Sequence, residues 1–176
     1  LLGGVGGPKW ADTTGDQRPE SGLLALRKAL AVYANLRPVL VPESLADASP
    51  LRPERVADTD VLFVRELTGG IYFGTPRGSV EGTDADPAVA NTMVYSESEI
   101  ERIAHIAFQR AQLRDGHVTS VDKANVLDVS QLWRSVVTDV KEEHYPDVEF
   151  RHLYVDNAAM QVVKDTRQCY GVLTGN

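Results

Sequence analysis

The chain has 176 residues, 43% of them hydrophobic, which is enough to bury a core in one or two globular domains. Its net charge is -7, from 25 acidic and 18 basic residues, so no cationic excess faces a phosphate backbone and nucleic acid is excluded as the main partner. The single cysteine, Cys169, excludes an intrachain disulfide and fits a reducing, cytoplasmic compartment, and no apolar run is long enough to span a membrane.

In chain order, "LLGGVGGPKW" reads as a strand end and a tight loop. It is not a phosphate loop of either common kind: Lys9 stands where the third glycine of G-x-G-x-x-G belongs, and no Gly-Lys-Ser/Thr follows. There is no initiator methionine and no signal-peptide layout, so a trimmed or partial chain is expected. A helix is predicted from Pro19 and Glu20, ending before Pro38, followed by a short strand over Val39–Val41. Val61–Val64 is a buried-type strand, Gly69-Gly70 a turn, and "IYFG" a further strand. Residues 75–91 are polar and rich in Gly, Pro and Asp, and read as a loop or exposed arm. Asp84 and Asp86 there lack the glycine and terminal glutamate of a calcium loop.

Ser96 and Glu99 form a capping box ahead of Ile100, Ile103, Ala104, Ala107, Phe108 and Ala111, which share one helical face, with Gly116 as the stop. "HVTSVDKANVLD" is a strand and charged turn, and "SQLWRSVVTDVKEEHYPD" a helix with Trp133, Val136, Val137 and Val140 inward. "VEFRHLYVDNAAMQVVKD" is strand then helix, and "CYGVLTGN" a last strand. Alternating strands and helices without repeats define an α/β architecture.

Four groups of residues are candidates for chemistry. Glu20, Leu23, Leu24 and Arg27 fall at i, i+3, i+4 and i+7, a stripe that is either core or a place for a ligand with a carboxylate and a branched alkyl group. Arg37 and Arg65 flank strands, where arginine forks bind carboxylates or form surface ion pairs. Tyr72 follows the Gly-Gly turn and Lys123 leaves an apolar strand, a proton donor and a base respectively, or an interface tyrosine and a snorkelling lysine. Asp156 stands at a strand-to-helix junction as an N-cap or as one oxygen ligand for Mg²⁺ or Mn²⁺. HExxH, zinc-spaced Cys/His clusters and G-x-S-x-G are absent, and the histidines at 105, 117, 144 and 152 are scattered.

Taken together, "GGVGGPKW", "PESGLLALRK", "NLRPV", "VRELTGGIYFG", "VTSVDKANVL", "YVDNAAMQ" and "LTGN" resemble the 3-isopropylmalate dehydrogenases of the isocitrate/isopropylmalate dehydrogenase family, the β-decarboxylating dehydrogenases. The resemblance implies the central part of a two-domain α/β subunit about twice this length. Residues 1–40 would belong to a first, discontinuous domain, 41–165 to a second domain with a dimer-forming arm, and 166–176 would return toward the first. It also implies a non-Rossmann NAD site bordered by Gly6, Gly7, Pro8, Lys9, Trp10, Glu20 and Asn125. Arg27, Arg37 and Arg65 would hold the carboxylates of a dicarboxylate substrate, with Leu23 and Leu24 against its isopropyl group. Tyr72 and Lys123 would be the catalytic pair and Asp156 a ligand for Mg²⁺ or Mn²⁺.

The activity implied is NAD-dependent oxidative decarboxylation of 3-isopropylmalate to 4-methyl-2-oxopentanoate, in leucine biosynthesis, by a cytoplasmic homodimer with composite sites. The family's remaining metal-binding aspartates follow the "TGN" at which this sequence stops, so the chain alone is expected to be inactive. Other members of the family, acting on isocitrate, homoisocitrate or tartrate, and a noncatalytic dimerisation fragment are the alternatives. Leu23 and Leu24 disfavour a substrate with an extra carboxylate, which they would leave unpaired. "QCYGVLTGN" departs from the family's usual "QFDVIVTGN", and Gly171 is expected to weaken a buried strand.

Overall fold

Strands and helices alternate along the chain in the computed structural model, which describes residues 4–13, 17–83 and 86–176. The first residues of the glycine-rich opening, and Asp84 of the aspartate pair, lie outside the described residues. Helix α1 spans Pro19–Ala29, begins with proline at a position where no N–H is needed, and carries no buried residue. It ends earlier than predicted, at a reversal through Ala31 (φ 49), and the chain goes straight into strand β1, Ala34–Leu40. The strand predicted at Val39–Val41 is therefore longer and starts sooner. Pro38 sits inside it without harm because β1 is an edge strand, whose outer N–H positions need no ladder partner.

After a one-turn helix α2 (Pro53–Val56) comes β2, Asp60–Glu66. The expected strand at "IYFG" is instead a 3-10 turn over Gly70–Tyr72, with Gly70 at φ 78. The polar stretch 75–91 forms a hairpin of β3 (Gly78–Thr83) and β4 (Asp86–Ala90), which pair only with each other. The Ser96 capping box opens α3 (Glu97–Gln112): Glu99 N–H donates to Ser96 Oγ (3.3 Å) and Ser96 N–H to Glu99 Oε2 (2.9 Å). Then follow β5 (His117–Asp122), α4 (Asp128–His144), β6 (Glu149–Tyr154), α5 (Val155–Lys164) and β7 (Gly171–Thr174).

The main sheet has five strands in the order β1-β2-β7-β5-β6, with β1 antiparallel to β2 and the other neighbours parallel. The period of two divides its residues between two faces. Leu62, Val64, Val118 and Leu173 meet Ile100, Ile103, Phe108, Trp133 and Val137 of α3 and α4 in the larger core. Val61, Val121 and Val172 meet α5, through Ala158, in a smaller one. Gly171 belongs in this sheet: a Cβ there would lie 2.7 Å from the His117 carbonyl oxygen, so the residue expected to weaken β7 is the one that lets it close on β5. No helix among the described residues is long and apolar enough to cross a membrane.

Candidate active site

Because β2, β7, β5 and β6 run parallel, their carboxyl ends emerge at one edge of the sheet, the edge at which open α/β sheets receive ligands. Arg65 is the penultimate residue of β2, and its Nη2 donates to Oδ1 of Asn176, just past β7, at 2.5 Å. The same guanidinium lies 5.8 Å from the ring centroid of Tyr72, a cation–π contact. On the edge strand, Asn35 is registered opposite Arg65, so Arg37, two residues on, shares the face of Arg65. Arg37 Nε donates to Asn35 Oδ1 at 2.6 Å.

Lys123 follows β5 and Asp156 opens α5, and parallel pairing of β5 with β6 brings them together: Lys123 Nζ donates to Asp156 Oδ1 at 2.5 Å. The hydrogen bond from Lys123, then one from the residue's own backbone, holds the Asp156 carboxyl below its ordinary 3.8. Lys123 also borders a mostly apolar cleft of about 250 Å³ with Met93, Leu127, Trp133, Thr174 and Asn176. Among the described residues no hydrogen bond or ion pair joins Lys123 or Asp156 to Arg65 or Tyr72. The two pairs occupy different stretches of the same edge. Asn125 is exposed in the turn after Lys123.

Helix α1 lies beside the Tyr72 loop, where Leu24, Lys28, Tyr72 and Arg77 line a cleft of about 480 Å³. Leu23 and Arg27 are half-buried on the same helix, so the predicted stripe is not core. A further cleft, of about 270 Å³, is lined by Gly6, Gly7, Trp10, Arg18 and Glu20. Pro8–Trp10 form its 3-10 turn, with Lys9 Nζ 5.2 Å from the Trp10 ring centroid. Glycine is favoured at position 6 by its backbone, whose φ of 95 a side chain with a Cβ rarely adopts, and the tip of the Glu20 carboxylate lies over it. The cleft offers a carboxylate, glycine backbone and an exposed indole, groups that could take a flat, amide-bearing ring. The metal fares differently: among the described residues no group of three or more His, Cys, Asp or Glu is placed to hold an ion, and the Asp156 oxygen is taken by Lys123. The residues described here do not by themselves make a Mg²⁺ or Mn²⁺ site.

The sequence reading passed over the buried groups that set this edge. The Glu66 carboxylate, 0% exposed, accepts from Thr68 N (2.9 Å), Gly69 N (2.7 Å), Thr68 Oγ1 (2.9 Å) and Arg102 Nη2 (2.9 Å). Asp122 does the same for the turn that begins with Lys123, accepting from Ala124 N (2.9 Å) and Arg134 Nε (2.7 Å). The bond to Asp122 raises the Arg134 pKa, while burial, then Arg134, lowers that of His152 nearby. Their only signal in the sequence is an acid at the last position of a strand. Cys169 is buried and its thiol is pushed up by desolvation, which removes it as a nucleophile.

Residues 1–176 match the family model described as isocitrate/isopropylmalate dehydrogenase. The chain is 74% identical over 176 residues to the 3-isopropylmalate dehydrogenase of Salinibacter ruber, covering 100% of this chain and 47% of that protein. It is 57% identical over 177 residues to the 3-isopropylmalate dehydrogenase of Oleidesulfovibrio alaskensis, covering 100% and 49%. Its fold superposes on the crystal structure of isocitrate dehydrogenase from Methylococcus capsulatus with a TM-score of 0.75 and 30% identity, over 87% of this chain and 43% of that one. The chain thus spans about half the length of the curated relatives it matches.

Proposed function

Since the chain belongs to the isocitrate/isopropylmalate dehydrogenase family, we propose that the protein carrying it oxidatively decarboxylates 3-isopropylmalate to 4-methyl-2-oxopentanoate with NAD⁺, in leucine biosynthesis. The observation that supports this most is where the candidate residues stand. Arg65 with Tyr72, and Lys123 with Asp156, form two separate pairs at the carboxyl-terminal edge of the main sheet, as expected of two half-sites that a second subunit would complete.

In this reading the guanidinium groups of Arg27, Arg37 and Arg65 bind the two carboxylates, and Leu23 and Leu24 cover the isopropyl group. The Gly6–Trp10 turn, Glu20 and Asn125 border the cofactor; NAD⁺, when bound, supplies the hydride acceptor for C2 of the substrate. Lys123, once its pair with Asp156 has parted and its ammonium has released a proton to solvent, takes the proton of the 2-hydroxyl. Loss of the 3-carboxylate as CO₂ leaves an enolate, and the Tyr72 phenol returns a proton to carbon. Asp156, once released by Lys123, would offer one oxygen to a Mg²⁺ or Mn²⁺ ion, which would polarise the substrate oxygen.

Residues 1–40 and 166–176 belong to one discontinuous domain and 41–165 to a second. The β3–β4 hairpin serves as the arm of a cytoplasmic homodimer in which Lys123 and Asp156 enter the partner's site. Steady-state NADH formation by the full-length protein tests the proposal, with 3-isopropylmalate, isocitrate and tartrate compared in parallel. Turnover confined to 3-isopropylmalate is expected. Equal or better turnover of isocitrate moves the assignment to another member of the family, and silence from a folded dimer removes the enzymatic reading.

A further inference from the structure

The fully buried Glu66 is costly to keep charged unless it is matched by donors, and all four of its partners are donors. Two of them are backbone N–H groups of Thr68 and Gly69, at the start of the loop that carries Tyr72. A glutamine would turn an NH₂ toward at least one of those donors, so the position calls for a carboxylate. Arg102 of α3 holds the far side of the carboxylate. It also bonds Thr68 Oγ1 (2.6 Å) and lies 4.6 Å from the ring centroid of Tyr33, at the entrance to β1.

The line continues from Gly69. Its carbonyl accepts from Asn176 Nδ2 (2.9 Å), Asn176 Oδ1 accepts from Arg65 Nη2 (2.5 Å), and Asn176 N–H donates to Tyr95 Oη (2.6 Å). The Tyr95 ring fills the space that a Cβ on Gly69 or Gly70 would need, which holds the loop against the end of β7. Arg65 and Glu66 are consecutive and point to opposite faces of β2, so they do not touch. Their side chains are linked around this circuit.

We propose that Glu66 is a positioning residue for substrate binding. By fixing Gly69 it fixes Asn176, and Asn176 fixes the Arg65 guanidinium, leaving the other N–H donors of Arg65 aimed at a substrate carboxylate. The same carboxylate sets the path of the loop toward Tyr72. The inference rests on the dehydrogenase reading above.

The test is a double-mutant cycle in the full-length protein with Glu66→Gln, Asn176→Ala and the pair, measuring KM for 3-isopropylmalate and for NAD⁺ separately. Each single variant is expected to raise KM for the dicarboxylate by about tenfold or more, because a displacement of the order of an ångström at a binding arginine is enough. KM for NAD⁺ should stay within about twofold, since among the described residues the Gly6–Glu20 cleft shares no lining residue with this circuit. The double variant should be no worse than the more damaging single by more than about twofold, the signature of two residues acting through one line. Losses that multiply, or an unchanged dicarboxylate KM in a folded Glu66→Gln protein, overturn the proposal. If Glu66→Gln does not fold, Tyr95→Phe, which removes only the hydroxyl that receives the Asn176 N–H, carries the test. A rise of about threefold or more in dicarboxylate KM then supports the circuit, and no rise overturns it. Absence of turnover by the folded wild-type protein overturns the dehydrogenase reading and this inference with it, whereas turnover with unaffected variants overturns the inference alone.

Discussion

The two faces of the main sheet are built to different standards. Against α3 and α4 the sheet packs Ile100, Ile103, Phe108, Val137 and Leu173, each 0% exposed, with Trp133 bonded through Nε1 to Ser120 Oγ at 3.1 Å. On the other face α5 packs in the smaller core, Phe63 and Leu153 stay half-buried, and Val155, Met160 and Val163 of α5 are exposed. Helix α1, on which the predicted substrate stripe lies, buries nothing. The dry face holds the fold, and the residues assigned to substrate and cofactor sit at the strand ends and around the sparsely covered side.

Mutations should separate the two faces. Phe108→Ala, in the dry core, is expected to cost about 3–5 kcal/mol of stability in denaturant titrations. Gly171→Ala forces a methyl toward the His117 carbonyl, and about 1–3 kcal/mol is expected from the same measurement. At the ligand edge, Lys123→Met should abolish turnover while lowering the melting temperature at neutral pH only slightly, because the Lys123–Asp156 pair is partly exposed. The Asp156 carboxyl then returns up to its ordinary value, readable by carbon NMR. The sign follows from its depressed folded pKa: the Lys123–Asp156 pair contributes above the unfolded value of 3.8 and is lost as pH falls through the folded one, so the variant and wild type should converge in acid. The smallest effect is reserved for the open side. Leu30→Gln, at a residue 63% exposed just past α1, should change stability by less than about 0.5 kcal/mol. A loss there comparable to that of Phe108→Ala would erase the contrast between the faces.

Much of this was legible in the sequence where signals are local. The Ser96–Glu99 box and its apolar stripe placed α3, and the alternation of strand and helix from His117 to Lys164 placed four elements in order. Reading failed where a partner decides. Ala34–Arg37 carries no apolar run, and it is a strand because β2 offers a register from Glu66 back to Asp60. "IYF" has strand composition, but the positive φ of Gly70 and the Tyr95 ring behind it wind it into a turn. The polar 75–91 stretch pairs with itself, a contact that composition hides. The same holds at the site. Arg65 and Lys123 stand out as charges at strand ends, whereas Glu66 is paired with Arg102, 36 residues away, and Asn176 with Tyr95, 81 residues away. Only the folded chain brings those pairs together.

The most direct test of the site's placement is a crystal structure of the full-length protein with 3-isopropylmalate and NAD⁺. The substrate carboxylates are expected at the carboxyl-terminal edge of the sheet, one of them on Arg65, with the isopropyl group on Leu23 and Leu24 and the nicotinamide in the Gly6–Glu20 cleft. A substrate seated at the opposite edge, near His117, or bound at this edge without Arg65, would contradict the account.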